Sequence, residues 1–267
     1  MTRRTLDQTR ELLIDVGMRL LHERRVYVSV THVRLTDVVK EAGLTTGAAY
    51  RCWDNQDAYH RDLAVAAAKW RDRASVEETV EAVRGLVEAR APFAEVLRVG
   101  AEANLYQYPH HTATLTTIAL RTCAPADPAV AEAGREHLRQ AVAAFAELYE
   151  LVMPLYGRRM RKPYTTHDLA TVLAAVSEGF TLQGITGEPY PRVERHDVED
   201  GVGSDWSLFG CAVEAVVDRF TELVPEDPPA VALDEDEWSA PFATAPASGD
   251  RPSGEHPPAP PAPPAAS

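Results

Sequence analysis

The chain has 267 residues, is 45% hydrophobic and carries a formal charge of −13. That apolar content suffices for a buried core and excludes global disorder. The absence of any run of about 18 apolar residues excludes a membrane span.

The charge is uneven. Residues 1–73 sum to +3, residues 74–224 to −9 and residues 225–267 to −7. Attraction to phosphate is local and is screened within about 8 Å at physiological salt, so an acidic chain with a basic end keeps a nucleic-acid partner open. Cys52, Cys123 and Cys211 are few, odd in number and far apart. That pattern points to reduced thiols in the cytosol, not to a disulfide frame or a zinc site. The N-terminus enters a charged amphipathic pattern and lacks a signal peptide's apolar core.

In chain order, Leu6, Leu13, Val16 and Leu20 share one face of a first predicted helix. RRVYVSVTHVR follows, rich in β-branched residues, as a long loop or a short extended piece. Leu35, Val38, Val39 and Ala42 repeat with the helical period. Ala42–Gly43–Leu44 is then a turn, because glycine tolerates positive φ. The next residues, TTGAAYRCW, are small and polar at one end and aromatic at the other. With Leu44, Ala49 and Trp53 turned inward, Thr45, Thr46, Gly47, Ala48 and Tyr50 are left outside. Asn55 is a predicted N-cap, and Tyr59, Leu63, Ala66 and Trp70 share a face of a longer helix.

Further helices are predicted near 77–90, 92–107, 110–122, 129–155, 166–184 and 205–223, broken at prolines and at the GEPYPR turn. No strand pattern is convincing beyond 26–33. From residue 225 onward, 12 of the 20 prolines fall in 43 residues. That segment reads as a disordered, acidic tail with polyproline character, solvated or serving as a docking peptide. The expected fold is therefore all-α, with residues 1–56 as a helix-turn-helix head, 57–224 as a helical body and 225–267 as the tail.

The outward set suits DNA. Threonine hydroxyls and a helix N-terminus suit phosphate oxygens, a glycine allows close backbone approach, and Tyr50 can donate to a phosphate. Thr46 and Ala48 are expected nearest the base edges, where a methyl meets a thymine methyl. Thr36, Arg51 and Gln56 complete the set of expected DNA contacts, and Arg34, Arg3 and Arg4 are further candidate backbone contacts.

The run LTDVVKEAGLTTGAAYRCWDNQDAY resembles the N-terminal domain of TetR-family transcriptional regulators over roughly residues 5–70. In that family a hydrophobe-rich second helix ends in Ala-Gly, and a short recognition helix ends in Tyr-x-x-aromatic. Gln56 stands where the family usually has a phosphate-binding lysine, and Ala48 where threonine is common. The link between the first two helices is about four residues longer, and Arg24, Arg25 and Arg34 in or beside it are positioned to recover backbone affinity.

The resemblance implies a homodimeric repressor on a palindromic double-stranded operator, released by a small-molecule effector. It also implies an effector cavity among the middle helices, with Tyr106, Tyr108, His110, His111, Thr112, Thr116, Arg121 and Tyr149 as candidate contacts. The dimer would form through the last two helices. Leu169, Val172, Leu173, Val176 and Phe180 make one stripe; Leu208, Phe209, Val213, Val216 and Phe220 make the other. No cofactor is expected, and no metal, since adjacent His110 and His111 lie about 100° apart on a helix. No nucleophile elbow, P-loop or dinucleotide turn suggests an enzyme. The rival expectation is a helical adaptor that acts through its proline-rich tail.

Overall fold

The computed structural model describes residues 5–23, 30–69, 74–107, 118–121, 127–184, 189–225, 233 and 236–238. The fold is predominantly helical. Its long or site-forming helices are α1 (Leu6–Glu23), α2 (Leu35–Glu41), α3 (Thr46–Ala49), α4 (Gln56–Lys69), α5 (Ala74–Glu88), α6 (Phe93–Gln107), α7 (Pro128–Val152), α8 (Thr166–Gly184) and α9 (Leu208–Phe220). Residues 30–32 form a 3₁₀ turn within the predicted link, and 118–121 form a helical turn within the predicted 110–122 helix.

Among the described residues there are four three-residue strands that the periodicity does not announce. β1 (Arg158–Met160) pairs antiparallel with β4 (Thr221–Leu223), and β2 (Arg192–Glu194) with β3 (Asp205–Ser207). Three residues are too few to display an alternating pattern. The second ribbon is held to α6 by Glu102, which accepts from Ser207 N–H at 3.1 Å and pairs with Arg192 at 2.9 Å.

Local chemistry sets the helix starts. Asn55 Oδ1 accepts from Ala58 N–H at 2.9 Å at the head of α4. Asp127 does the same for Ala129 N–H at 2.9 Å before α7, with Pro128 at the first helical position. Ser207 Oγ accepts from Gly210 N–H at 3.0 Å before α9.

The head packs α1, α2 and α4 around Leu13, Leu21, Val33, Val38, Tyr59 and Leu63, all fully buried. Each such side chain contributes about 1.5–3 kcal/mol by leaving water. α1 and α4 approach closely at Gly17, where any Cβ would run into the Tyr59 hydroxyl. Burial holds that phenol far above its ordinary pKa. Leu120, Val130 and Ala133 join the same core, so the head continues into the body, and Arg61 pairs with Asp127 at 2.9 Å across the junction.

The body packs α5 on α6, α7 on α8, and α9 on both α6 and α8. Its boundary differs from the composition-based one. Trp238, inside the segment expected to be disordered, is only 2% exposed and packs with Val80, Val83, Val87, Leu148 and Val152. Leu233 lies against the same cluster, and the Arg84 guanidinium sits 6.0 Å from the indole centroid. One large aromatic outweighs the proline-rich composition around it. No helix among the described residues is long and apolar enough to cross a membrane.

Candidate nucleic-acid interface and body cavity

The turn after α2 fixes where α3 goes. Gly43 takes φ +64°. Leu44 N–H then bonds Val39 C=O at 2.9 Å, and Gly43 N–H bonds Lys40 C=O at 3.1 Å. This is a Schellman closure, which satisfies two orphan carbonyls of α2 and reverses the chain. Thr45 follows in extended conformation, and α3 makes a single turn. Past α3, Trp53 is buried and anchors the exit: its Nε1 donates to Asp62 Oδ2 at 2.7 Å, and its ring meets Tyr59 edge-on at 5.1 Å.

This places Thr36, Thr45, Thr46, Gly47, Tyr50, Arg51 and Arg34 on the surface, with Tyr50 54% exposed. Gly47 has an ordinary φ, and a Cβ built on it meets nothing within 4 Å. The fold therefore does not require glycine there. Among the described residues, Arg34, Lys40 and Arg51 form no ion pair. Other arginines are paired both in the head, Arg10 with Asp62 and Arg19 with Glu41, and in the body, Arg98 with Glu95 and Arg195 with Glu214. Lys40, one helical turn beyond Thr36 and exposed, was missed in the sequence; only its spacing from Thr36 could have flagged it.

Two expected contacts are corrected. Ala48 is 8% exposed, not outward. In so short a helix, residues 48 and 49 both turn toward α1, where Cys52 Sγ lies 3.6 Å from Ala48 O and 3.8 Å from Leu6 O. Gln56 is turned inward. Its Oε1 accepts from Leu35 N–H at 3.0 Å, and its Nε2 donates to Val33 C=O at 3.2 Å. The amide thus caps α2, whose own N-cap residue, Arg34, supplies no side-chain bond. Arg3, Arg4, Arg24 and Arg25 lie outside the described residues.

The body encloses a cavity of about 180 Å³. Phe93, Leu97, Phe145, Leu173, Phe209 and Val213 supply apolar wall; Thr79, Asn104, His137, Ser177 and Glu178 add polar groups. Of the predicted contacts, Arg121 and Tyr149 line it. Tyr108, His110, His111, Thr112 and Thr116, and the side chain of Tyr106, lie outside the described residues. Asn104, Ser177 and Glu178 were not anticipated, because single polar residues on largely apolar helices carry no periodic signal.

The predicted dimer stripes are in part protomer core. Leu169 is fully buried, Leu173 is 6% exposed and Phe209 is 3% exposed. Val176, Phe180 and Val213 pack around Phe209, while Val216 and Phe220 pack around Leu169. The most apolar stripe of each helix faces inward, since α8 and α9 must first cover the protomer's own helices. Val172, Val176, Phe180, Val213, Val216 and Phe220 are half-buried, and Leu208 is 44% exposed. The outward faces carry exposed Thr171, Ala175 and Leu182 with half-buried Gly179 on α8, and exposed Leu208 and Ala215 with half-buried Ala212 on α9.

No protein-family model matches this chain, and no curated protein or solved structure matches it.

Proposed function

We propose that this protein is a cytosolic DNA-binding transcriptional regulator of the TetR kind, a repressor that binds a palindromic operator as a homodimer and is released by a small-molecule effector. The observation that carries this reading is Gly47. It is a surface glycine that the fold does not need, set between exposed Thr46 and Tyr50; Arg34, Lys40 and Arg51 of the same head are exposed and form no ion pair among the described residues. A missing side chain at that point serves an approaching partner, and the cations and hydroxyls select a phosphate backbone.

One short helix reads too few bases, so two heads are required, about 34 Å apart on successive major grooves. The outward faces of α8 and α9 supply the self-complementary surface, small at Ala175, Gly179 and Ala215 and apolar at Leu182 and Leu208. The cavity supplies the effector site. Leu120 packs in the head core while its neighbour Arg121 lines the cavity, so occupancy and head position share one helical turn. A coupling of about 1–3 kcal/mol lowers operator affinity roughly 5–150-fold.

Electrophoretic mobility shift on the DNA upstream of the protein's own gene tests the reading. A specific shift is expected, lost in a Tyr50→Ala protein that still dimerises. Three cations per head also give a slope of about −5 for log affinity against log salt. A salt-independent shift, or one unchanged by Tyr50→Ala, contradicts it.

A further inference from the structure

Around Arg121 and Asn104 the polar capacity left at the cavity is mainly that of donors. Ser177 Oγ donates to Asn104 Oδ1 at 2.9 Å, which takes one of the two lone pairs of the carboxamide oxygen. The Asn104 NH₂ group meets no acceptor among the described residues. Next to Ser177 on α8, the Glu178 carboxylate accepts from Arg121 Nη1. Of the five N–H groups of that guanidinium, the others meet no acceptor among the described residues. Glu178 is the one carboxylate among the described lining residues, and it is already paired.

The pair is not symmetric. The Arg121 stem occupies the slot that Gly134 leaves open on α7: its Cγ lies 3.0 Å from where a Cβ would stand. The guanidinium is thereby held at the cavity. Exposure does not separate the two side chains, 28% for Arg121 and 31% for Glu178; the Gly134 slot does, since it holds Arg121 while Glu178 turns to water. A carboxylate entering the cavity replaces Glu178 on Arg121 with two-point geometry and takes the Asn104 N–H as well. An amine would be repelled by the Arg121 guanidinium and would have to compete with it for Glu178. A neutral hydroxyl gains neither charge-assisted bond.

From this geometry we infer that the effector is a monocarboxylic acid with an apolar body, its carboxylate held by Arg121 and Asn104 and its body between residues such as Phe93, Phe145 and Leu173. The inference rests on the effector cavity of the reading above, not on its DNA face.

Titration calorimetry on the full chain, without DNA, tests it with octanoate, octan-1-ol and octylamine. Octanoate is expected to bind at least about tenfold tighter than the other two. Arg121→Met removes that preference while octan-1-ol still binds, which shows the cavity intact. Glu178→Gln, which removes the competing charge, tightens octanoate binding several-fold. Equal binding of the three probes, binding of none, a preference that survives Arg121→Met, or octanoate binding weakened by Glu178→Gln overturns the inference. Because no step involves DNA, failure of operator binding leaves this result standing, and the reverse also holds.

Discussion

The Gln56 side chain accepts from the Leu35 backbone N–H at 3.0 Å, so the first residue of α4 caps the first residue of α2. The same amide bonds Val33 C=O and lies 2.6 Å from His60 Nε2, tying the two helices that carry α3. Gln56→Ala leaves a half-buried donor and acceptor unmatched. The expected loss is about 1–2 kcal/mol of stability, read by chemical denaturation. An unchanged midpoint would show the amide to be free to serve DNA instead.

Gly47→Ala separates fold from recognition. Alanine is the better helix residue by about 1 kcal/mol, and the added methyl meets nothing. The melting temperature is expected to hold or rise while operator affinity falls at least about tenfold, as a methyl between backbone and groove costs about 1.4 kcal/mol or more. Equal affinity in both proteins would remove Gly47 from the interface.

Trp238→Ala tests whether the acidic segment belongs to the body. Deleting an indole packed among Val80, Val83, Val87 and Leu148 is expected to cost about 3–5 kcal/mol. A thermal melt that matches the wild type would show that Trp238 does not stabilise the body.

The outward faces of α8 and α9 predict the oligomer. Gly179→Arg adds a long cation to this face at a position where a Cβ meets nothing within 4 Å in the protomer. Light scattering is expected to show a dimer become a monomer while the helical circular dichroism is retained. A dimer that survives both Gly179→Arg and Ala175→Arg contradicts this face.

Acid stability follows from Glu95 and Asp127. The Arg98 side chain, and then Gly203 N–H, hold Glu95 below the usual carboxylate range. Ala129 N–H, and then Arg61, do so for Asp127. A depressed folded pKa gives stability that is complete above the unfolded value, about 4 for these groups, and is lost as pH falls through the folded value. Melting temperature is expected to decline below about pH 4, with a shallower decline in Glu95→Gln. An identical acid decline in Glu95→Gln would contradict the role given to that carboxylate.

Helical periodicity made α1, α2 and α5–α9 legible, since each buries a stripe repeating every three to four residues. The turn at Gly43 and the cap at Asn55 were legible from residue type alone. Ala48 was not: in a four-residue helix one step of 100° decides between surface and core, and α1's position decides the step. Gln56 was misjudged because an amide serves backbone or phosphate equally well until its neighbours are known. The inward packing of Leu169 and Phe209 was ambiguous in sequence, where a protomer core and a dimer core carry the same stripe. Trp238 was hidden by averaging over a proline-rich window.

The central claim is that paired copies of the Thr45–Tyr50 surface enter successive major grooves. Selection from random-sequence duplexes with the purified full chain tests it most directly. The account predicts an enriched palindrome whose half-sites are centred about 10 base pairs apart, with enrichment abolished in Tyr50→Ala and Gly47→Ala proteins of unchanged size. Enrichment of no sequence, or of a single unpaired site that both variants still select, would contradict it.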